Sequence, residues 1–229
     1  MRKKVLIITD SISLPRPGIK YEETWIYLLK QEFPELDIMV NSEKGSMTSR
    51  LVNEGGGGID LLELYEPHLV IVQMGITECA PRLFKKHGFE HFFLTKILLA
   101  RLRSSYIDFV RKRRIRNPEI PYIRPEQFKA NLTNYIERAH KAGTRIIILS
   151  IFKPNNLFAS KSPSIGRNIQ LYNDIYRELA GRYPHVRYLD PIGTDVDMNA
   201  ITIDELHINQ EGNKMVFAAV RPLVEELVG

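Results

Sequence analysis

Residues 3–9 read KKVLIIT and are followed at once by Asp10, Ser11, Ile12 and Ser13. Val5 to Ile8 form an unbroken apolar run rather than an alternating one. A strand reads this way when both of its faces are buried, as in a parallel sheet covered by helices on each side. The acid and the hydroxyl then sit at the carboxyl end of the first strand, where open α/β sheets gather their functional groups.

The rest of the chain repeats the pattern. Apolar runs at 36–41, 68–75, 144–152 and 186–191 read as four more strands. Between and after them, residues 21–33, 124–143, 164–183 and 209–228 have apolar positions at helical spacing. Pro34 stops the first of these helices and Gly143 the second. Residues 46–65 hold one or two short helices broken by Gly55 to Gly58, a flexible connection with no Lys-Ser/Thr after it to make a phosphate loop. Strands alternating with helices predict a three-layer α/β/α sandwich around a five-stranded, flavodoxin-like parallel sheet. Four segments then converge on one edge: Asp10–Ser11, the turn at Gly45, Gly75 to Glu78, and the loop with Asp204 and His207.

A chain of 229 residues suits one domain, 1–229, with an insertion at 84–120 that reads as a helical arm. The net charge of +5 is concentrated there: from Arg82 to Asn117 eleven basic residues face only Glu90 and Asp108, a local +9. A solvated charged face is the default reading of such an arm. Its mixture of aromatic and basic residues also suits a rim for anionic substrates or a contact with an anionic membrane surface over 82–117. Nucleic acid ranks last, because no recognised reading module accompanies the charge. One cysteine, Cys79, excludes an internal disulfide framework and a Cys-rich metal site. The apolar run at the N-terminus stops at Asp10, too short for a signal-peptide core, and no stretch approaches a membrane span. These features predict a cytoplasmic protein. The oligomeric state has no sequence signature here.

Serine attacks a carbonyl only when a base accepts its proton, and that base needs an orienting partner. The predicted topology supplies all three. Ser11 is the candidate nucleophile, His207 the base acting through Nε2, and Asp204 the acceptor for the other ring nitrogen. A spacing of three lets a loop fold the carboxylate back onto the ring. The oxyanion needs donors. The Ser11 and Gly45 N–H groups are candidates, the latter because a bare Cα lets backbone come close, with a side chain after the third strand as another.

At these residues the sequence resembles the SGNH/GDSL hydrolases. Thr9-Asp10-Ser11-Ile12 matches the Gly-Asp-Ser-Leu block except at its first position, and Gly45 matches the second block. Gly75-Ile76-Thr77-Glu78 matches Gly-x-Asn-Asp in part, and Asp204-Glu205-Leu206-His207 matches Asp-x-x-His in full. The resemblance implies a serine esterase acting on small acyl esters or carbohydrate O-acetyl groups, with no cofactor and no metal. It also implies that Thr77 stands where an asparagine amide normally helps hold the oxyanion. Asp10, Glu78, Arg82, Asn155 and Asn156 are candidate substrate contacts, and Arg82, Asn155 and Asn156 are also candidates to replace that amide.

Blander readings compete with each feature. Asp10 or Ser11 can simply cap a following helix, His207 can be a surface histidine, and Gly45 a turn residue. Cys79 reads as a packing residue, and the other five histidines have no partner pattern. Two further functional readings use the same residues differently: acyl transfer to a sugar hydroxyl, or a non-catalytic scaffold on a decayed esterase fold.

Overall fold

The computed structural model describes residues 2–52, 58, 60–80, 102, 105, 106, 121 and 123–228. The expected arm at 84–120, apart from those three isolated positions, lies outside the described residues, as do Arg82 and most of the glycine run. The described strands are β1 (Lys4–Thr9), β2 (Asp37–Ser42), β3 (Leu69–Gln73), β4 (Arg145–Leu149) and β5 (Val186–Leu189). They form one parallel sheet in the order β2-β1-β3-β4-β5. The ladders pair Lys4 with Asp37, Val5 with Leu69, Leu69 with Arg145 and Ile146 with Val186.

The unbroken apolar runs lie where their composition demands. Val5 to Ile8, Leu69 to Val72 and Ile146 to Leu149 are each at most 1% exposed, because these three strands are central and covered on both faces. β2 is an edge strand, and Asp37, Asn41 and Ser42 keep it partly in water.

Chain direction then fixes the layers. The path moves one way from β1 to β2 and the other way from β3 through β4 to β5. Right-handed crossovers therefore place α1 (Trp25–Glu32) on one face, and α3 (Pro125–Lys141) and α5 (Ile165–Arg182) on the other. α1 packs against the last helix, α7 (Gln210–Val228), and α3 packs against α5. Three short helices complete the described set: α2 (Ile76–Cys79), α4 (Asn156–Lys161) and α6 (Met198–Ile201).

Two local differences from the sequence reading have clear causes. The helix expected over 21–33 is divided, because Thr24 is extended and its hydroxyl caps α1 by accepting from the Tyr27 N–H. Among the described residues of 46–65 there are a 3-10 turn at Thr48–Leu51 and further turns from Asp60 to Tyr65. They are held by the Arg138 guanidinium, which donates to the carbonyls of Leu51 (2.7 Å) and Gly58 (2.6 Å) and pairs with Glu63.

The order reverses between β1 and β3, so the loops after them diverge and leave a crevice at their carboxyl ends. α7 frames it from the α1 face. Asn209 caps α7 by accepting from the Gly212 N–H (3.1 Å). Asn213, one turn on and 2% exposed, accepts from the Trp25 N–H at the start of α1 (3.0 Å) and donates to the Asn209 carbonyl (3.0 Å). Its amide joins the first and last helices at the crevice. Asn213→Ala leaves the buried Trp25 N–H without a partner. It should lower stability by about 1–3 kcal/mol, read as a lower urea midpoint with an unchanged slope.

Candidate active site

The residues after β1 enter the crevice as a 3-10 turn, Ser11–Ser13. Asp10 caps it, accepting from the Ile12 N–H at 2.9 Å. Thr9, at the position of the first-block glycine, hydrogen-bonds to Ser13 Oγ and to Ser42 Oγ (2.5 Å), so it ties the Ser11 turn to the end of β2. Ser11 heads the turn with its side chain only half-buried. Among the described residues no acceptor takes its N–H.

Gly45 lies in the turn after β2, closed by the Ser46 N–H donating to the Glu43 carbonyl (3.1 Å). Its φ of 73° explains the glycine. Crowding within the chain does not, since a Cβ there would meet no atom within 4 Å. The Gly45 N–H, like that of Ser11, has no acceptor among the described residues. Thr77, half-buried, is in the first turn of α2, directly after β3.

The loop after β5 is a small closed unit. Thr202 and Ile208 form a bridge, and the Ile203 N–H donates to the His207 carbonyl (2.8 Å). Asp204 Oδ1 accepts from the N–H groups of Leu206 (2.9 Å) and His207 (2.8 Å). The same carboxylate meets the ring: Asp204 Oδ2 lies 2.7 Å from His207 Nδ1. With Nδ1 donating, Nε2 is free to accept, and it lies 3.2 Å from Ser11 Oγ. The structure thus brings together the hydroxyl, imidazole and carboxylate that the sequence reading had paired across the chain. Such a geometry can deprotonate a serine and return the proton to a leaving group.

Electrostatics suit that chemistry. Partial burial lowers the His207 pKa, the Asp204 carboxylate opposes this, and Arg16 and Lys44 add to the lowering, which favours the neutral ring. Burial works to raise Asp204, but the bonds from the His207 and Leu206 N–H groups and from the ring outweigh it and keep the carboxylate charged.

The remaining expected contacts divide. Asp10 and Glu78, expected at the substrate, are 1% and 0% exposed and lie beneath the site. Glu78 Oε1 accepts from the Thr48 N–H (2.8 Å) and from its hydroxyl, which fastens the segment after Gly45 to α2. Asn155 is also committed: its Oδ1 caps α4 at Phe158 (3.0 Å), and its Nδ2 donates to Thr202 Oγ1 (3.0 Å) and the Asp204 carbonyl (2.6 Å). It holds the histidine loop, with neither amide hydrogen left for an oxyanion. Asn156 is exposed, and its N–H donates to Asn199 (3.1 Å). Arg82 lies outside the described residues.

The sequence matches the model of the GDSL-like lipase/acylhydrolase family over residues 10–215. The chain belongs to that family. Among solved structures it resembles a putative lipolytic protein of the G-D-S-L family from Desulfitobacterium hafniense, with a TM-score of 0.63, 14% identity, and coverage of 97% of this chain and 99% of that one. It also resembles a variant of Axe2, an acetyl-xylooligosaccharide esterase from Geobacillus, with a TM-score of 0.61, 16% identity, and coverage of 98% and 94%. The esterase EstA from Pseudoalteromonas, inhibited by monoethylphosphonate, gives a TM-score of 0.57, 17% identity, and coverage of 98% and 97%. A search of curated proteins by sequence finds no match.

As a GDSL-type acylhydrolase this chain has two features its motifs do not show. One is Arg16, whose Nη2 lies 3.4 Å from the Ser11 carbonyl. Its only sequence signal is a basic residue set between Pro15 and Pro17 shortly after the nucleophile block. The other is the buried acid pair. Burial raises Asp10 to about 7 against an ordinary 3.8, with Ile12 and Arg16 opposing. Burial raises Glu78 to about 7 against 4.5, with Thr48 opposing and Asp10 adding to the rise. Among the described residues no group of three or more His, Cys, Asp or Glu side chains is set to hold a metal ion, and no helix is long and apolar enough to cross a membrane.

The acid pair makes a prediction. Both acids bind protons more readily in the folded state, so their contribution to stability is full below the ordinary carboxylate range and is lost as pH rises to about 7. Glu78→Gln should flatten the fall in melting temperature between about pH 5 and about pH 8. An unchanged slope in thermal melts would contradict this.

Proposed function

We propose that this acylhydrolase cleaves small O-acyl esters, carbohydrate O-acetyl groups foremost, through Ser11, His207 and Asp204. The observation that carries the reading is the 3.2 Å contact between Ser11 Oγ and His207 Nε2, backed by the 2.7 Å contact from Asp204 to the opposite ring nitrogen. Ser11 Oγ attacks the carbonyl carbon while its proton passes to His207 Nε2. The tetrahedral oxyanion is held by the Ser11 and Gly45 N–H groups, with the Thr77 hydroxyl in place of the usual amide. Collapse breaks the bond to the alcohol oxygen, which leaves with the proton from His207. Water then attacks the acyl-serine, His207 takes its proton, and the acid departs as Ser11 regains its hydrogen.

The fold shared with Axe2, itself an acetyl-xylooligosaccharide esterase, supports the choice of sugar O-acetyl groups. That is an analogy of fold, because a triad does not choose its leaving group. A cytoplasmic setting fits the single, buried Cys79.

A fluorophosphonate probe should label the protein at Ser11, and labelling should vanish in Ser11→Ala. Asp204→Asn should lower kcat by roughly 10³- to 10⁴-fold, because the ring loses the partner that fixes its tautomer. Acetate release against pH should fall on the acid side as His207 gains a proton. The midpoint should lie below the ordinary imidazole value of 6.5, since the ring's pKa is lowered. Absence of labelling in the wild type, together with absence of acetate release from acetylated sugars, would leave the fold without this function. Ester formation on an added sugar that outpaces hydrolysis would identify acyl transfer instead.

Thr77 offers a separate check. If its hydroxyl serves the oxyanion, Thr77→Val should lower kcat by roughly tenfold or more with a smaller change in KM, since one such donor contributes up to about 10²–10³ in rate.

A further inference from the structure

The reaction outlined above leaves one neighbour of Ser11 without a task. Arg16 stands at the start of a tight turn, where its N–H donates to the Ile19 carbonyl (3.1 Å) and the Ile19 N–H donates back (2.8 Å). Pro17 and Gly18 are the central residues, and Gly18 has the positive φ, 94°, that a Pro-Gly turn of this kind requires. The turn is therefore stiff and fixes where the arginine backbone stands.

The head of that arginine is underused. An arginine offers five N–H donors. Here Nη2 makes one long contact, 3.4 Å, with the Ser11 carbonyl, and Nε is buried with no hydrogen-bond partner. Among the described residues no carboxylate lies within ion-pair distance of Arg16. Of the acids around the site, Glu43 pairs with Arg50 (3.1 Å), Glu205 with Lys161 and Asp204 with His207, while the buried Asp10 feels the charge of Arg16 without forming an ion pair with it. A second cation, Lys44, is exposed on the turn that carries Gly45. Both cations are close enough to depress the proton affinity of His207.

Two cations beside a catalytic base hinder the very step the base performs. His207 must become an imidazolium as Ser11 attacks, and Arg16 and Lys44 both repel that third positive charge. An anion held between them offsets the repulsion. The oxyanion is one such charge, but it forms only transiently and already has its own donors. A fixed negative group on the substrate would act throughout the reaction, and guanidinium forks match carboxylate and phosphate oxygens in shape.

We propose that Arg16, assisted by Lys44, is a specificity-determining residue that selects esters bearing an anionic group, a carboxylate or a phosphate, close to the scissile bond. This rests on Ser11 and His207 being the reacting pair.

The test uses three matched pairs of esters on the full chain. 4-Nitrophenyl acetate against 4-nitrophenyl hemisuccinate places a carboxylate on the acyl side. O-acetylated methyl glucoside against O-acetylated glucuronate places it on the alcohol side. The same glucoside against O-acetylated glucose 6-phosphate replaces carboxylate by phosphate. In at least one pair the wild type should prefer the anionic member in kcat/KM. Arg16→Gln should reduce that preference roughly ten- to hundredfold, the range of a charge-assisted hydrogen bond. Arg16→Lys should retain part of it, and raised salt should weaken it. Lys214→Gln, which removes a cation from the exposed side of α7, should leave the preference as it was. The pair that responds identifies the anion and its position. Equal use of both members in every pair, or a preference that survives Arg16→Gln, overturns the proposal. Loss of all ester turnover in the wild type would instead remove the esterase reading. In that event Arg16 is judged by binding: Ser11→Ala protein should bind glucuronate or glucose 6-phosphate more tightly than methyl glucoside, and adding Arg16→Gln should abolish the difference. Equal binding of all three overturns the proposal on its own.

Discussion

The Asn213 amide is the constraint on which the site depends. Ser11 and His207 are separated by 196 positions in the chain, and nothing local brings them together. Ser11 is fixed by β1, a strand buried from Val5 to Thr9. His207 is fixed by the start of α7, and that start is fixed by Asn213, which reaches across to the first N–H of α1. Because α1 leads from the Ser11 turn back to the sheet, this bond closes a loop through space from Ser11 to His207. Its buried setting matters: an exposed amide would exchange freely with water, whereas a buried one costs about 1–3 kcal/mol to leave unpaired.

The sheet and the meeting of Ser11 with His207 were legible in the sequence because each follows from a one-dimensional rule. Unbroken apolar runs predict strands covered on both faces, and β1, β3 and β4 are such strands. The rule that function gathers at strand ends then placed Ser11, Gly45, Thr77 and His207 along one rim. What the sequence could not convey was where individual polar side chains would end up. Asp10 and Glu78 look like substrate contacts in a motif, yet Glu78 is buried against Thr48, which lies 30 positions away. Asn155 looks like a spare amide, but both of its amide hydrogens go to the loop at Thr202–Asp204 and its oxygen caps α4. The glycine at 45 has a turn conformation with φ of 73°, which its place in a motif does not reveal. Polar destinations depend on tertiary partners, and no local periodicity records them.

The site also has a vertical order of charge. Beneath the Ser11 turn lie Asp10 and Glu78, whose pKa values burial raises to about 7. Level with the turn is the Asp204–His207 pair, partly shielded from water. Arg16 and Lys44 flank it from the turns after β1 and β2. Reducing the negative charge below the site and placing positive charge around it both favour an anionic transition state at Ser11. The same arrangement disfavours an imidazolium at His207.

The Asn155 clamp links two pieces of structure that would otherwise move separately. Its carbonyl oxygen caps α4 while its amide nitrogen holds Thr202 and the Asp204 backbone. The loop that carries His207 therefore cannot swing out without uncapping that helix, and the helix cannot fray from its first turn without releasing the loop. Local opening at the two places is one cooperative event. In hydrogen exchange, the Phe158 and His207 amides should share a single opening free energy.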